Sequence, residues 1–312
     1  MTVHVVAAVI LDSEERVLIA ERPADKHQGG LWEFPGGKVE PGERIEGALC
    51  RELEEELGIL PSEYEPLIKI RYDYSDKSVL LDVWTVTAFS GEAHGREGQP
   101  IEWVDKAQLR DYEFPAANHP ILNAAILPER YLITGSFRDK SELIDKVSSA
   151  LRMGISLVQF RAPWLDKEQY RECVESLVPL FSGHESKLIV KGELEWLEDD
   201  SVGGIHLTSS QLESLHKEGW KHSGGKIVGV SCHSGLQLVQ ASEVGAFFAT
   251  LSPVEETSFH PEANPLGWGQ VGPMIENATL PVYCLGGMRD NDLVQACRLG
   301  AQGIAAISAW WS

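Results

Sequence analysis

Eight short apolar segments return at near-regular intervals between residues 130 and 309: "RYLITG", "SLVQFRA", "KLIVKGE", "GGIHLT", "KIVGVSC", "FFATLSPV", "PVYCLGG" and "GIAAISA". Short runs this rich in Val, Ile and Leu suit strands that are buried on both faces. Stretches with helical periodicity lie between them, the clearest at 141–153, 167–181, 267–277 and 290–299, and the one after "KLIVKGE" is short. Strands buried on both faces need helices to cover them. Eight such strands with intervening helices in about 180 residues is the count of a compact TIM-type (β/α)8 barrel. An open doubly wound sheet is the alternative that periodicity leaves standing.

The first 127 residues have another rhythm. "HVVAAVILD" and "RVLIAER" read as strands joined by the polar turn "DSEE"; a Gly-rich loop, a helix from about Glu43 to Leu57 and a strand in "VLLDVWTVTAF" follow. This predicts a mixed α/β domain over 1–127 and the barrel over 129–312, joined through "NAAILPER". A chain of 312 residues is long enough for both cores.

The N-terminal "MTVHVVAAVILDSEERVLIAERP" has no basic leader or small-residue cleavage site, and no apolar run approaches the 18 or so residues that span a bilayer. The expected location is cytoplasmic, with no membrane partner. Cys50, Cys173, Cys232, Cys284 and Cys297 are odd in number and scattered, without a CxxC pair. They read as buried free thiols rather than a disulfide framework or a zinc site. A formal net charge of −20 argues against a sequence-independent grip on DNA or RNA. A small anion could bind only through divalent metal or a local cluster of Arg and Lys.

That restriction directs attention to "GGKVEPGERIEGALCRELEEELGI", Gly36 to Ile59. At 100° per residue Glu52, Glu55 and Glu56 share about 100° of arc and Glu54 points to the far side. Leu49, Leu53 and Leu57 form the neighbouring apolar stripe, which would fix the acidic face against a sheet. Carboxylates this close repel one another unless a cation sits among them. Hard oxygen ligands on a rigid element suit magnesium or manganese; the alternative is a solvated acidic face.

Gly37, Glu43, Arg51, Glu52, Leu53, Glu55, Glu56, Gly58 and Ile59 match the pattern GX5EX7REUXEEXGU, with U a bulky aliphatic residue, at every fixed position. The domain therefore resembles Nudix hydrolases. The resemblance implies an α/β/α fold whose loop–helix–loop element holds Mg2+, or Mn2+, and cleaves a diphosphate linked to another moiety. It implies Gly37, Glu52, Glu55 and Glu56 as metal ligands, with Arg51 and Glu43 supporting the helix by ion pairing.

"AERPADKHQGGLWEFPGG", "GREGQPIEWV" and "FPAANHPI" extend the similarity to the MutT group, which hydrolyses 8-oxo-dGTP to the monophosphate and pyrophosphate. That similarity carries over Glu97 as a further ligand or base, Asn118 as a base-reading amide and Arg22 as a nucleotide contact. Phe34 stands either beside the base or in the core, and His27 and Lys77 are further phosphate-contact candidates. Either Glu52 or Glu97 would orient or deprotonate the attacking water.

"LVQFR", "GIHLT", "GVSCH", "SPV", "LGG" and "AISA" resemble thiamine phosphate synthases and their TenI-like relatives. The resemblance implies a phosphate site at Gly286, Gly287 and Ser308, with Gln159 and Arg161 as diphosphate contacts. The family's "REKD" is "RAPW" here, its "NDR" is Lys191-Gly192-Glu193, "HLTSSQ" lacks an expected acid, and His260 replaces a Lys. Losing the metal carboxylates predicts a noncatalytic barrel that holds a thiamine-type phosphate or serves as a scaffold. The leading expectation is a magnesium-dependent nucleoside triphosphate pyrophosphohydrolase acting in nucleotide-pool sanitation. The alternatives are a hydrolase of damaged thiamine diphosphate analogues, or a barrel that regulates the hydrolase.

Overall fold

Alternation along the first strand, β1 (Thr2–Ile10), decides the layering of the N-terminal unit. Val6, Ala8 and Ile10 enter one core, Ala7 and Val9 the other, because successive side chains of a strand point to opposite faces. The computed structural model describes residues 2–24, 28–73, 78–182, 186–257 and 262–311; His27, Lys77 and His260 lie outside the described residues. The chain divides into two compact units, Met1–Ile126 and Leu127–Ser312.

After β1 the first unit runs through β2 (Val17–Glu21), β3 (Trp32–Glu33), β4 (Gly36–Lys38), α1 (Ile45–Leu57), β5 (Leu60–Asp73), β6 (Ser78–Ser90), β7 (Ile101–Val104) and α2 (His119–Ile126). One sheet has the order β4-β1-β6-β5 and the other β3-β2-β7. β1 and β2 are neighbours in sequence yet fall in different sheets, touching through an isolated bridge between Leu11 and Val17.

Helix α1 buries Ala48, Leu49, Leu53 and Leu57 against Val6, Ala8 and Ile10. Helix α2 places Ile121, Leu122 and Ala124 in the core that holds Ala7 and Val9. The result is the α/β/α arrangement. α1 has no side-chain cap at its N-terminus and no basic residue in its last turn. Its place therefore rests on the buried stripe, where each Leu contributes about 2 kcal/mol.

The second unit alternates strand and helix: β8 (Arg130–Ile133), α3 (Lys140–Arg152), β9 (Leu157–Phe160), α4 (Lys167–Phe181), β10 (Lys187–Lys191), β11 (Gly204–Leu207), α5 (Ser209–Lys217) and β12 (Ile227–Cys232). It continues with α6 (Gly235–Glu243), β13 (Phe248–Leu251), α7 (Trp268–Glu276), β14 (Val282–Leu285), α8 (Leu293–Arg298) and β15 (Gly303–Ala306). The strands close in the order β10-β11-β12-β13-β14-β15-β8-β9, all parallel. Closure removes the doubly wound alternative. The crossover after β10 is only a 3-10 turn, Leu194–Glu198.

Side-chain caps start several of the helices. Asp139 accepts from the Glu142 N–H, and capping boxes pair Asp166 with Gln169 and Thr208 with Gln211. Such caps satisfy N–H groups that the helix itself leaves unpaired. Leu127 packs with Tyr131, Phe248 and Tyr283 inside the barrel. Cys173, Cys232 and Cys284 are buried as expected, whereas Cys50 and Cys297 are partly exposed. Among the described residues no helix is long and apolar enough to cross a membrane.

Candidate active site

The acidic face of α1 is organised by one cation. Arg51 donates through Nε and Nη2 to both carboxylate oxygens of Glu43 at 3.0 and 2.9 Å. Its Nη1 donates to Glu52 at 2.9 Å and to Glu55 at 3.4 Å, and Nη2 also reaches the Lys38 carbonyl at 3.0 Å. The planar fork of a guanidinium suits such divided work. Arg51 thus ties the helix to β4 and holds the Glu43 carboxyl down to about 2.

Arg51→Met is therefore expected to lower the melting temperature at pH 7. From an ordinary value of 4.5 the Glu43 carboxyl is brought to about 2 in the fold, by Arg51 first and then by the Glu40 N–H. Its contribution is complete above the higher value and is lost as pH falls through the lower one. The gap between variant and wild type should close across that window in thermal melts; an unchanged gap at pH 2 would contradict this assignment.

Glu56 faces inward and accepts the Gly36 N–H at 3.0 Å. Burial first, and then the neighbouring charges of Glu33, Glu52 and Glu97, push its carboxyl up to about 8. A Cβ on Gly37 would collide with the Glu52 carboxylate, so only glycine lets the β4 backbone lie against that acid.

Among the described residues no three Asp, Glu, His or Cys side chains stand together as a finished metal cage. The reason is visible: Glu52 and Glu55 are turned to Arg51, and Glu56 to a backbone amide. The residues nonetheless fit a hard divalent cation. The donors are carboxylate oxygens, and the burial and neighbouring negative charges that raise Glu56 are what a cation at that place offsets.

Glu97 sits on the loop before β7. That loop docks on the end of α1: Arg96 Nη1 donates to the Glu54 carbonyl at 2.7 Å, Arg96 N–H to the Glu56 carbonyl at 2.9 Å, and Gln99 Nε2 to the same carbonyl at 3.1 Å. Gln99 also accepts the Glu97 N–H at 2.9 Å.

Arg22 is ion-paired with Glu33, whose carboxyl burial still holds above its ordinary value. Glu33 is an acid of this site that the sequence reading missed. The only signal was its place in "WEFPGG", three residues before Gly36. Phe34 is 3% exposed and packs on Phe114 at a ring separation of 5.4 Å. It is part of the core and has almost no surface to offer a base. Asn118 ends a 3-10 turn over Ala116–Asn118 and is half-buried; its side-chain amide makes no hydrogen bond to the described residues.

In the second unit Gln159, Arg161, Gly286, Gly287 and Ser308 all line one cavity of about 860 Å3. Gly286 and Gly287 follow β14 with φ of +96° and +74°, a backbone that side chains disfavour. A Cβ on Gly287 would also stand 2.7 Å from the Glu256 carbonyl oxygen.

Below them lies a buried polar chain. Tyr131 Oη donates to Gln159 Oε1 at 3.2 Å and lies 3.1 Å from His206 Nδ1, while His206 Nε2 is 3.0 Å from Ser231 Oγ. Burial holds His206 well below its usual range, and therefore neutral. Lys191 reaches the same Ser231 Oγ at 3.3 Å. From sequence Lys191 was only a departure from the family pattern and His206 was not singled out, because only barrel closure brings the ends of β10, β11 and β12 into one cavity.

An acid-faced helix beside a Gly-Gly strand in an α/β/α unit, followed by a closed eight-stranded barrel, defines a Nudix hydrolase joined to a thiamine phosphate synthase-type domain. Family comparison agrees. The NUDIX domain matches residues 6–124 and thiamine monophosphate synthase matches residues 130–310. The chain belongs to both families, as a fusion of the two.

The 8-oxo-dGTP diphosphatase of Escherichia coli (strain K12) is 39% identical over 119 residues, 38% of this chain and 92% of that protein. The CTP pyrophosphohydrolase of the same organism is also 39% identical over 119 residues, 38% of this chain and 88% of that protein. The putative thiamine-phosphate synthase 2 of Aquifex aeolicus (strain VF5) is 30% identical over 183 residues, 58% of this chain and 97% of that protein.

Proposed function

We propose that the N-terminal unit is a magnesium-dependent nucleoside triphosphate pyrophosphohydrolase that converts 8-oxo-dGTP to 8-oxo-dGMP and pyrophosphate. The carrying observation is the Arg51-organised acidic face of α1 beside the Gly36–Gly37 strand. Glu52, Glu55, Glu56, Glu97 and the Gly37 backbone would hold Mg2+, with Mn2+ equally suited to the same oxygens. The cation supplies charge neutralisation at the triphosphate and lowers the pKa of the attacking water.

The chain's own groups do the rest. Arg51 keeps Glu52 and Glu55 aligned on the helix, and Glu52 or Glu97 orients the water and takes its proton. Arg22 balances Glu33 at the edge of the acid cluster. Asn118, with a free amide, offers one donor and one acceptor to a purine edge. The barrel serves as a ligand-binding domain for a thiamine-type phosphate, held at Gly286, Gly287 and Ser308 with Gln159 and Arg161.

Equal identity to a CTP-hydrolysing relative favours a second reading, in which the base is a pyrimidine. The test is kcat/KM for 8-oxo-dGTP, dGTP, CTP and thiamine diphosphate with magnesium. Preference for the oxidised purine supports the first reading. CTP as the best substrate moves the assignment to the second. Preference for thiamine diphosphate would mean that the barrel shares its pathway with the hydrolase and that both base readings fail.

A further inference from the structure

We propose that Arg161 and Lys191 form a second, metal-free anion pole in the barrel cavity, built for a phosphate-type oxyanion and opposite the Gly286–Gly287 turn. The proposal rests on the reading of this cavity as a ligand site. In the closed strand order β10 stands four places from β14, so Lys191 at the end of β10 faces Gly286 across the ring.

β9 and β10 are adjacent and in register, with Phe160 beside Val190 as the last paired positions. Arg161 and Lys191 follow one residue later on neighbouring strands, which lie about 4.8 Å apart. Both share their strand face with interior residues, Arg161 with Gln159 and Lys191 with Ile189, by the two-residue period. The backbone of Lys191 is fixed by Tyr170, whose hydroxyl accepts the Lys191 N–H at 2.9 Å and donates to the Phe160 carbonyl at 2.9 Å.

Two cations side by side in a cavity repel each other. Burial, and then Arg161, hold the Lys191 ammonium down to about 8. Among the described residues neither cation has an ion-pair partner, and the guanidinium of Arg161 has no hydrogen-bond acceptor. Gln159 adds a third donor on the same face: it is 1% exposed, and its Nε2 has no partner. A buried amide N–H left unpaired is destabilising. An oxyanion between the three would satisfy the amide, give the guanidinium a bidentate acceptor and cancel the repulsion. A divalent cation placed there would add to that repulsion. The pair supplies the charge itself.

The experiment uses the full chain in EDTA and reads Lys191 directly, by acetylation with acetic anhydride and peptide mass spectrometry. Pyrophosphate or inorganic phosphate is expected to slow acetylation of Lys191 at least about fivefold near saturation. Exposed Lys217 and Lys221 should be unaffected. The protection should disappear in Arg161→Met and survive in Arg161→Lys, which guards against a folding defect. Protection that requires magnesium overturns the metal-free pole and leaves the barrel ligand site standing. Protection that persists in Arg161→Met overturns the pairing of the two cations. No protection with or without magnesium overturns both the pole and the reading of the cavity as a phosphate site.

Discussion

Glu56→Gln is expected to lower kcat for the preferred nucleotide about a thousandfold, within the range that positioned acid–base and ligand groups contribute, while the fold is kept. The substitution is nearly isosteric, and the amide oxygen of Gln can still accept the Gly36 N–H that Glu56 accepts at 3.0 Å. What is removed is a negative charge that burial and three neighbouring acids already oppose. The melting temperature should therefore hold or rise as activity falls, a combination that a merely structural glutamate does not produce. Chelation should abolish wild-type turnover, with Mg2+ or Mn2+ restoring it, and neither ion should rescue the variant. A variant within tenfold of wild type would remove Glu56 from the metal-binding set.

Asn118→Ala is expected to reduce the preference for 8-oxo-dGTP over dGTP by about tenfold to a hundredfold, since a bidentate amide–base pair discriminates by roughly 1–3 kcal/mol. The basis is the half-buried, unpartnered amide at the end of the Ala116–Asn118 turn. Turnover of dGTP itself should change little, because the α1 acids are untouched. Equal losses on both substrates would make Asn118 a positioning residue of its turn. No loss on either would place base selection elsewhere in the unit.

The architecture was legible where one physical signal repeats. All eight apolar runs from "RYLITG" to "GIAAISA" became barrel strands, because a parallel barrel strand must be apolar on both faces. The period of α1 likewise separated the Leu stripe from Glu52, Glu55 and Glu56, and the helix runs over Ile45–Leu57 as the pattern suggested. Long-range juxtaposition was not legible. Glu33 joins the acid cluster only because β3 and β4 follow one another beside α1, and each is too short to carry a pattern. Lys191 looked like a lost Asn in sequence. In the barrel it is a gained cation beside Arg161. The separation of β1 and β2 into two sheets was hidden because the turn between them reads as an ordinary polar link.

The loop bearing Glu97 is fastened to α1 through main-chain carbonyls, those of Glu54, Glu56 and Leu57. Every residue type offers that oxygen. Exposed positions of the helix are therefore open to change without unmooring the fourth acid, and the side-chain share of the anchoring falls on Arg96 and Gln99. A domain wired in this way can drift in surface sequence across many lineages while the reach of Glu97 stays constant, and its tolerance map should show that asymmetry.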